Sequence, residues 1–131
     1  MRNFKGWFVM LLISLSLFGM TACSNGGANS YEQITPQEAK TIMDTESEYI
    51  IIDARTDEEF AEGHIADAIL IPEYEIAARA EKELPDKDAL ILVYCRSGRR
   101  SKIASEELVK LGYTNVKEFG GIIDWPYEIV K

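Results

Sequence analysis

An α/β domain with a mostly parallel sheet and helices on both faces is the fold class this sequence predicts. Three observations predict it. Short apolar runs alternate with amphipathic stretches along the chain, joined by brief connections. The runs YIIID at 49–53 and ALILVY at 89–94 are continuous rather than alternating, which suits strands buried on both faces. Helix start and stop signals separate them, as crossover connections between parallel strands require.

The elements follow in order. Thr35-Pro36-Gln37-Glu38 is a capping box with proline at the first helical position, opening a helix that runs to about Asp44. Tyr49 to Asp53 is the first strand. Thr56 to Glu59 is a second capping box, starting a short helix that Gly63 stops. Ala68 to Ile71 is a further buried strand. Glu73 to Leu84 is predicted helical, with Ile76, Ala77, Ala80 and Leu84 on one stripe and Pro85 as the stop; charged residues 81–88 form a solvated face and turn. Ala89 to Tyr94 is the most hydrophobic strand and is expected at the centre of the sheet. Ser101 to Leu111 is a helix with Ile103, Ala104, Leu108 and Leu111 inward, closed by Gly112. Val116 to Phe119 is the last strand, followed by Gly120-Gly121 and a short helix broken near Pro126.

The first 22 residues are expected to leave the mature protein. Arg2 and Lys5 precede an uncharged apolar stretch from Gly6 to Met20, and small residues then lead to Cys23: the layout of a secretory signal. Fifteen apolar residues are short for a membrane span, which needs about 20. Met20-Thr21-Ala22-Cys23 resembles a bacterial lipobox, with methionine in place of the usual leucine. The resemblance implies a diacylglycerol-modified Cys23 and a domain held outside the cytoplasm on a membrane, because two acyl chains anchor stably. The alternative is an ordinary signal or uncleaved anchor in which Cys23 is incidental. Residues 23–30 read as a flexible polar tether and residues 31–131 as one domain. Without Arg2 and Lys5 the chain carries 12 basic against 22 acidic side chains, which argues against nucleic acid and against electrostatic docking on anionic lipid.

With Cys23 consumed by lipid, Cys95 has no disulfide partner in the domain, and one cysteine with one histidine makes no zinc site. Cys95 ends the strand expected at the centre of the sheet, where ligands of open α/β sheets bind. The segment VYCRSGRRS places Arg96, Arg99 and Arg100 within five residues of it. Gly98 lets the loop curl with its N–H groups inward, and the next helix points its positive end at the same place. Such an anion cradle stabilises a thiolate, or the terminal sulfur of a persulfide, and attracts an anionic substrate. The bland reading is a cysteine that merely ends a buried strand.

The run Cys95-Arg96-Ser97-Gly98-Arg99-Arg100-Ser101 resembles the active-site loop of rhodanese-type sulfurtransferases. IIDAR at 51–55, EFAEGHI at 59–65, AILIP at 68–72 and FGGIIDW at 119–125 resemble that family's other signatures in the same order. The resemblance covers about 101 residues and implies a rhodanese-like three-layer domain: a five-stranded, mostly parallel sheet flanked by helices. It also implies catalysis without an organic or metal cofactor. Cys95 would be the nucleophile that takes sulfane sulfur from a small anionic donor such as thiosulfate and yields it to a thiol or cyanide. The backbone N–H groups of residues 96 to 101, Ser97 and Gly98 included, would form the anion hole. Arg96 and Arg100 would bind the donor or support the loop, and Arg99, at a variable position, would tune charge preference. Asp53 and Arg55 are expected to form a structural ion pair, His64 to stabilise a turn by hydrogen bonding, and Trp125 to pack in the core or on a pocket rim.

Two other readings share the residues. Cysteine phosphatases and arsenate reductases of this fold carry arginine after five intervening residues, but here that position is Ser101, so the loop is one residue too short. A sulfur-carrier or partner-binding module with little turnover of its own would retain Cys95 unchanged; no particular protein partner is legible.

Overall fold

A computed structural model describes residues 30–131. The expected signal (1–22), Cys23 and the rest of the expected tether as far as residue 29 lie outside the described residues. Nine helices and strands follow one another among the described residues: β1 (Glu32–Gln33), α1 (Pro36–Thr45), β2 (Ile50–Asp53), α2 (Asp57–Glu62), β3 (Ile69–Leu70), α3 (Ile76–Glu83), β4 (Ile91–Cys95), α4 (Arg99–Lys110) and β5 (Val116–Gly121). The five strands form one sheet in the order β1-β5-β4-β2-β3, and every pairing is parallel. The fold is thus α/β, a five-stranded parallel sheet with four α-helices, and β4 lies at its centre.

Period-two alternation along the strands sends side chains to two cores, which is why the strands read as unbroken apolar runs. Ile52, Ile91, Val93 and Cys95 face α3 and α4, packing with Ile76, Ala80, Ala104 and Leu108. Ile51, Leu92, Tyr94 and Phe119 face the other way, with Ala39 of α1, Ile65 and Trp125. Both caps form: Thr35 accepts from the Glu38 N–H while the Glu38 carboxylate accepts from the Thr35 N–H, and Thr56 accepts from the Glu59 N–H.

Five features differ from the sequence expectation. β1 went unread; its two exposed residues pair only with β5. Residues Glu73–Glu75 form a 3-10 turn, and α3 starts after it at Ile76. Ala77, expected on the inward stripe, is exposed, because the buried line runs through Ile76, Ala80 and Leu84, and the residue next to Ile76 points about 100° away from it. α4 starts at Arg99, two residues before the expected Ser101, with Gly98 as its N-cap. The loop after Cys95 is therefore only Arg96, Ser97 and Gly98. β5 runs on to Gly121, and its pairing with β4 jumps from Val93↔Glu118 to Cys95↔Gly121. That jump is a bulge, and it sets Gly121 opposite the thiol.

Candidate active site

Cys95 is the last residue of β4 and 1% exposed. Its Sγ accepts the Gly98 N–H at 3.0 Å. The turn is possible because Gly98 takes φ +106°, a conformation that costs a side-chain-bearing residue. With no side-chain cap on α4, the amides of its first turn lack intrahelical partners, and helix starts of this kind favour anions. Gly121 closes the opposite side. A Cβ there would stand 2.0 Å from the Arg96 carbonyl oxygen, so the β5 turn meets the loop backbone to backbone.

The arginines divide their work. Arg100, half-buried, donates to both carboxylate oxygens of Glu59 at 2.6 and 2.9 Å, tying the first turn of α4 to α2. The Arg100 guanidinium draws the Glu59 carboxyl down to a pKa of about 2. The bonds to Glu59 likewise strengthen the hold of Arg100 on its proton, and attraction to Cys95 adds a smaller part. Arg96 and Arg99 are exposed, as is Ser97. Arg96 lines a pocket of about 290 Å³ with Arg55, Glu62, Ile122, Ile123 and Ile129. A larger hollow, about 800 Å³, lies against Trp125 and Tyr127, and its lining includes none of residues 95–101.

Asp53 and Arg55 form a bidentate ion pair at the end of β2, with Nε to Oδ1 at 2.9 Å and Nη2 to Oδ2 at 2.7 Å. Arg55 Nη2 also donates to the Gly63 carbonyl at 2.6 Å. The Tyr94 hydroxyl donates to Asp53 Oδ2 at 2.6 Å and accepts the Ile65 N–H at 3.0 Å. Burial, then the charge of Asp53, raises the pKa of Tyr94 well above the usual phenol range, so it stays a donor. This network lies on the sheet face opposite the thiol. His64 Nδ1 donates to the Phe60 carbonyl at 2.9 Å, and its ring stacks on Phe60 at 3.7 Å. Trp125 is 9% exposed and packs against Phe119.

Sequence reasoning missed two acidic residues. Glu59 was read as part of a cap and of the EFAEGHI run, with no tie to the cysteine loop. Glu118 was not singled out, yet it is 3% exposed and its Oε1 accepts from Ser101 Oγ at 2.6 Å and from the Gly120 N–H at 2.8 Å. Ser101 Oγ is in turn 3.3 Å from Cys95 Sγ. The available signal was phase: Val116 faces the core, and period two puts residue 118 on the same side.

A buried thiol at the carboxyl end of a central parallel strand, facing the amides of a helix start, defines a class: α/β proteins built for nucleophilic cysteine chemistry on anions. Comparison narrows it. Residues 35–126 match the rhodanese-like domain family, and the chain belongs to that family. It is 41% identical over 80 residues to the thiosulfate sulfurtransferase PspE of Escherichia coli, covering 61% of this chain and 77% of that protein. It is 41% identical over 88 residues to a sulfurtransferase of Allochromatium vinosum, covering 66% of this chain and 79% of that one. Among solved structures, an E. coli rhodanese with anions superposes with a TM-score of 0.60 at 38% identity, covering 63% of this chain and 98% of that one.

Proposed function

We propose that the domain is a sulfurtransferase that carries sulfane sulfur on Cys95, with thiosulfate or a related anion as donor. The Cys95 thiolate attacks the outer sulfur of thiosulfate. A new S–S bond forms, the old one breaks, and sulfite leaves with the electron pair. A thiol or cyanide then attacks the terminal sulfur of the persulfide, and Cys95 departs as thiolate. The observation that carries this reading is the Gly98 N–H aimed at Sγ from 3.0 Å, at the head of α4, which no side chain caps. In this reading the Gly98 N–H and its neighbours hold the terminal sulfur anion, and the exposed Arg96 and Arg99 draw in the donor. The relatives named as sulfurtransferases support the reaction class.

The test is a donor and acceptor panel on wild type and Cys95→Ala. Wild type is expected to gain the mass of one sulfur atom on Cys95 and to release sulfur to cyanide or a thiol; Cys95→Ala should do neither. A persulfide that forms but is released to no acceptor would replace turnover with sulfur carriage, and no persulfide at all would refute the reading. We also propose that the domain is displayed outside the cytoplasm on a lipid-modified Cys23, on the strength of residues 2–23.

A further inference from the structure

Cys95 ends a chain of three buried groups, and the other two side chains, those of Ser101 and Glu118, have no part in the sulfur-transfer steps above. Cys95 Sγ lies 3.3 Å from Ser101 Oγ, and Ser101 Oγ lies 2.6 Å from Glu118 Oε1. Cys95, Ser101 and Glu118 are 1%, 0% and 3% exposed. Glu118 takes part in none of the ion pairs found among the described residues. A carboxylate buried in this way is costly, and its bonds are to the Gly120 N–H and to the hydroxyl that touches the thiol.

Ser101 has one proton to give. When it donates to Glu118, its lone pair faces the sulfur and the thiol donates to it. When it donates to the sulfur, the carboxyl group must donate to Oγ. A concerted shift interconverts the two: the Sγ–H proton moves to Oγ as the Oγ–H proton moves to Oε1. One S–H and one O–H bond break, two O–H bonds form, and no electrons are gained or lost. The net charge stays at one negative, on carboxylate or on sulfur. Each end has its own amide, Gly120 N–H on Glu118 and Gly98 N–H on Cys95. A thiolate made without this shift would leave two anions buried side by side, which a low-dielectric site opposes.

We propose that Glu118, acting through Ser101, stores the proton that Cys95 gives up, so that nucleophile and carboxyl group share one proton. Glu118 is thus a positioning residue for the sulfur chemistry, and the proposal rests on Cys95 being the sulfur-accepting group. Other charged groups lie near the pair on their own elements: Arg100 of α4 feels Cys95, Glu59 of α2 and Asp53 of β2. Glu118 and Glu106 of α4 both act on Tyr31, which precedes β1. Arg96 in the loop and Arg99 at the head of α4 are exposed.

Sharing shows as coupled titration. Alkylation of Cys95 by iodoacetamide, a neutral probe, is followed against pH in wild type, Glu118→Gln and Ser101→Ala, with folding checked by circular dichroism. Wild type is expected to gain reactivity in two steps, and both variants to lose the lower step. A single step in wild type, or two steps that persist in Glu118→Gln, overturns the proposal. Should either variant fail to fold, the Glu118 carboxyl carbon is observed by NMR in wild type and in Cys95→Ala. Two steps collapsing to one supports sharing; one step indifferent to Cys95→Ala overturns it. Neither readout involves sulfur transfer, so a wrong donor assignment would leave the result intact.

Discussion

Gly121 and Gly112 separate two reasons for glycine. A methyl group at Gly121 would lie 2.0 Å from the Arg96 carbonyl oxygen and 2.6 Å from Ser97 Cα, both backbone atoms of the loop that cradles the sulfur. Neither can yield without moving the Gly98 N–H away from Sγ. At Gly112 nothing stands within 4 Å of an added Cβ, but φ is +97°. Gly112→Ala should therefore cost only backbone strain, about 1–2 kcal/mol, with sulfur transfer unchanged. Gly121→Ala should cost roughly 1–3 kcal/mol through overpacking and lose most of its persulfide formation as well. Denaturant titrations beside mass spectrometry of the loaded protein check both. Equal activity losses in the two variants would show that the close approach at Gly121 does not hold the cradle in place.

Between elements, the bond from Arg100 to Glu59 fastens α2 to the head of α4, and both ends are local features of the sequence brought together over 41 positions. Glu59 has its pKa drawn from 4.5 down to about 2 by Arg100. The pair's stabilisation is thus complete above about pH 4.5 and fades as pH falls toward 2. Glu59→Gln should lower the melting temperature near neutrality by a few degrees, the scale of a pair worth about 1 kcal/mol. The gap to wild type should close between those pH values; a gap constant down to pH 2 would assign the loss to packing. Glu59 also shows what was legible at this scale. The cap could be read because it involves residues three apart, but only the Thr56 half of the expected box forms, the Glu59 carboxylate going to Arg100; at Thr35 and Glu38 both halves form. The head of α4 could not, because Gly98 caps it without a side chain. β1 could not, because two exposed residues become a strand only by pairing with Lys117 and Glu118, some 85 positions away. The thiol and its arginines lie within six residues of one another and were found; Glu118 reaches the site only through the sheet's register and the bulge in β5.

At the scale of the molecule, the two cores draw, among the described residues, on buried side chains from Ala39 to Trp125. No helix among the described residues is long and apolar enough to cross a membrane. With 12 basic and 22 acidic side chains after residue 22, the chain would be repelled by anionic lipid, and any association with a membrane would need another source. The proposed diacyl group on Cys23 would supply it, since two chains outweigh surface repulsion where a single chain binds only marginally. A tether of seven residues, Ser24 to Ser30, would span at most about 25 Å, enough to clear the headgroups but not to let the domain roam. Expressed with its signal in a bacterial host fed labelled fatty acid, the wild-type chain should incorporate label and sediment with membranes. Cys23→Ser should incorporate none and leave the membrane fraction, or remain there only as an uncleaved precursor of higher mass. Both proteins should transfer sulfur equally in detergent, because the chemistry at Cys95 depends on the sheet and not on the anchor. An unlabelled wild-type chain cleaved elsewhere would remove the lipid and leave an ordinary secreted enzyme.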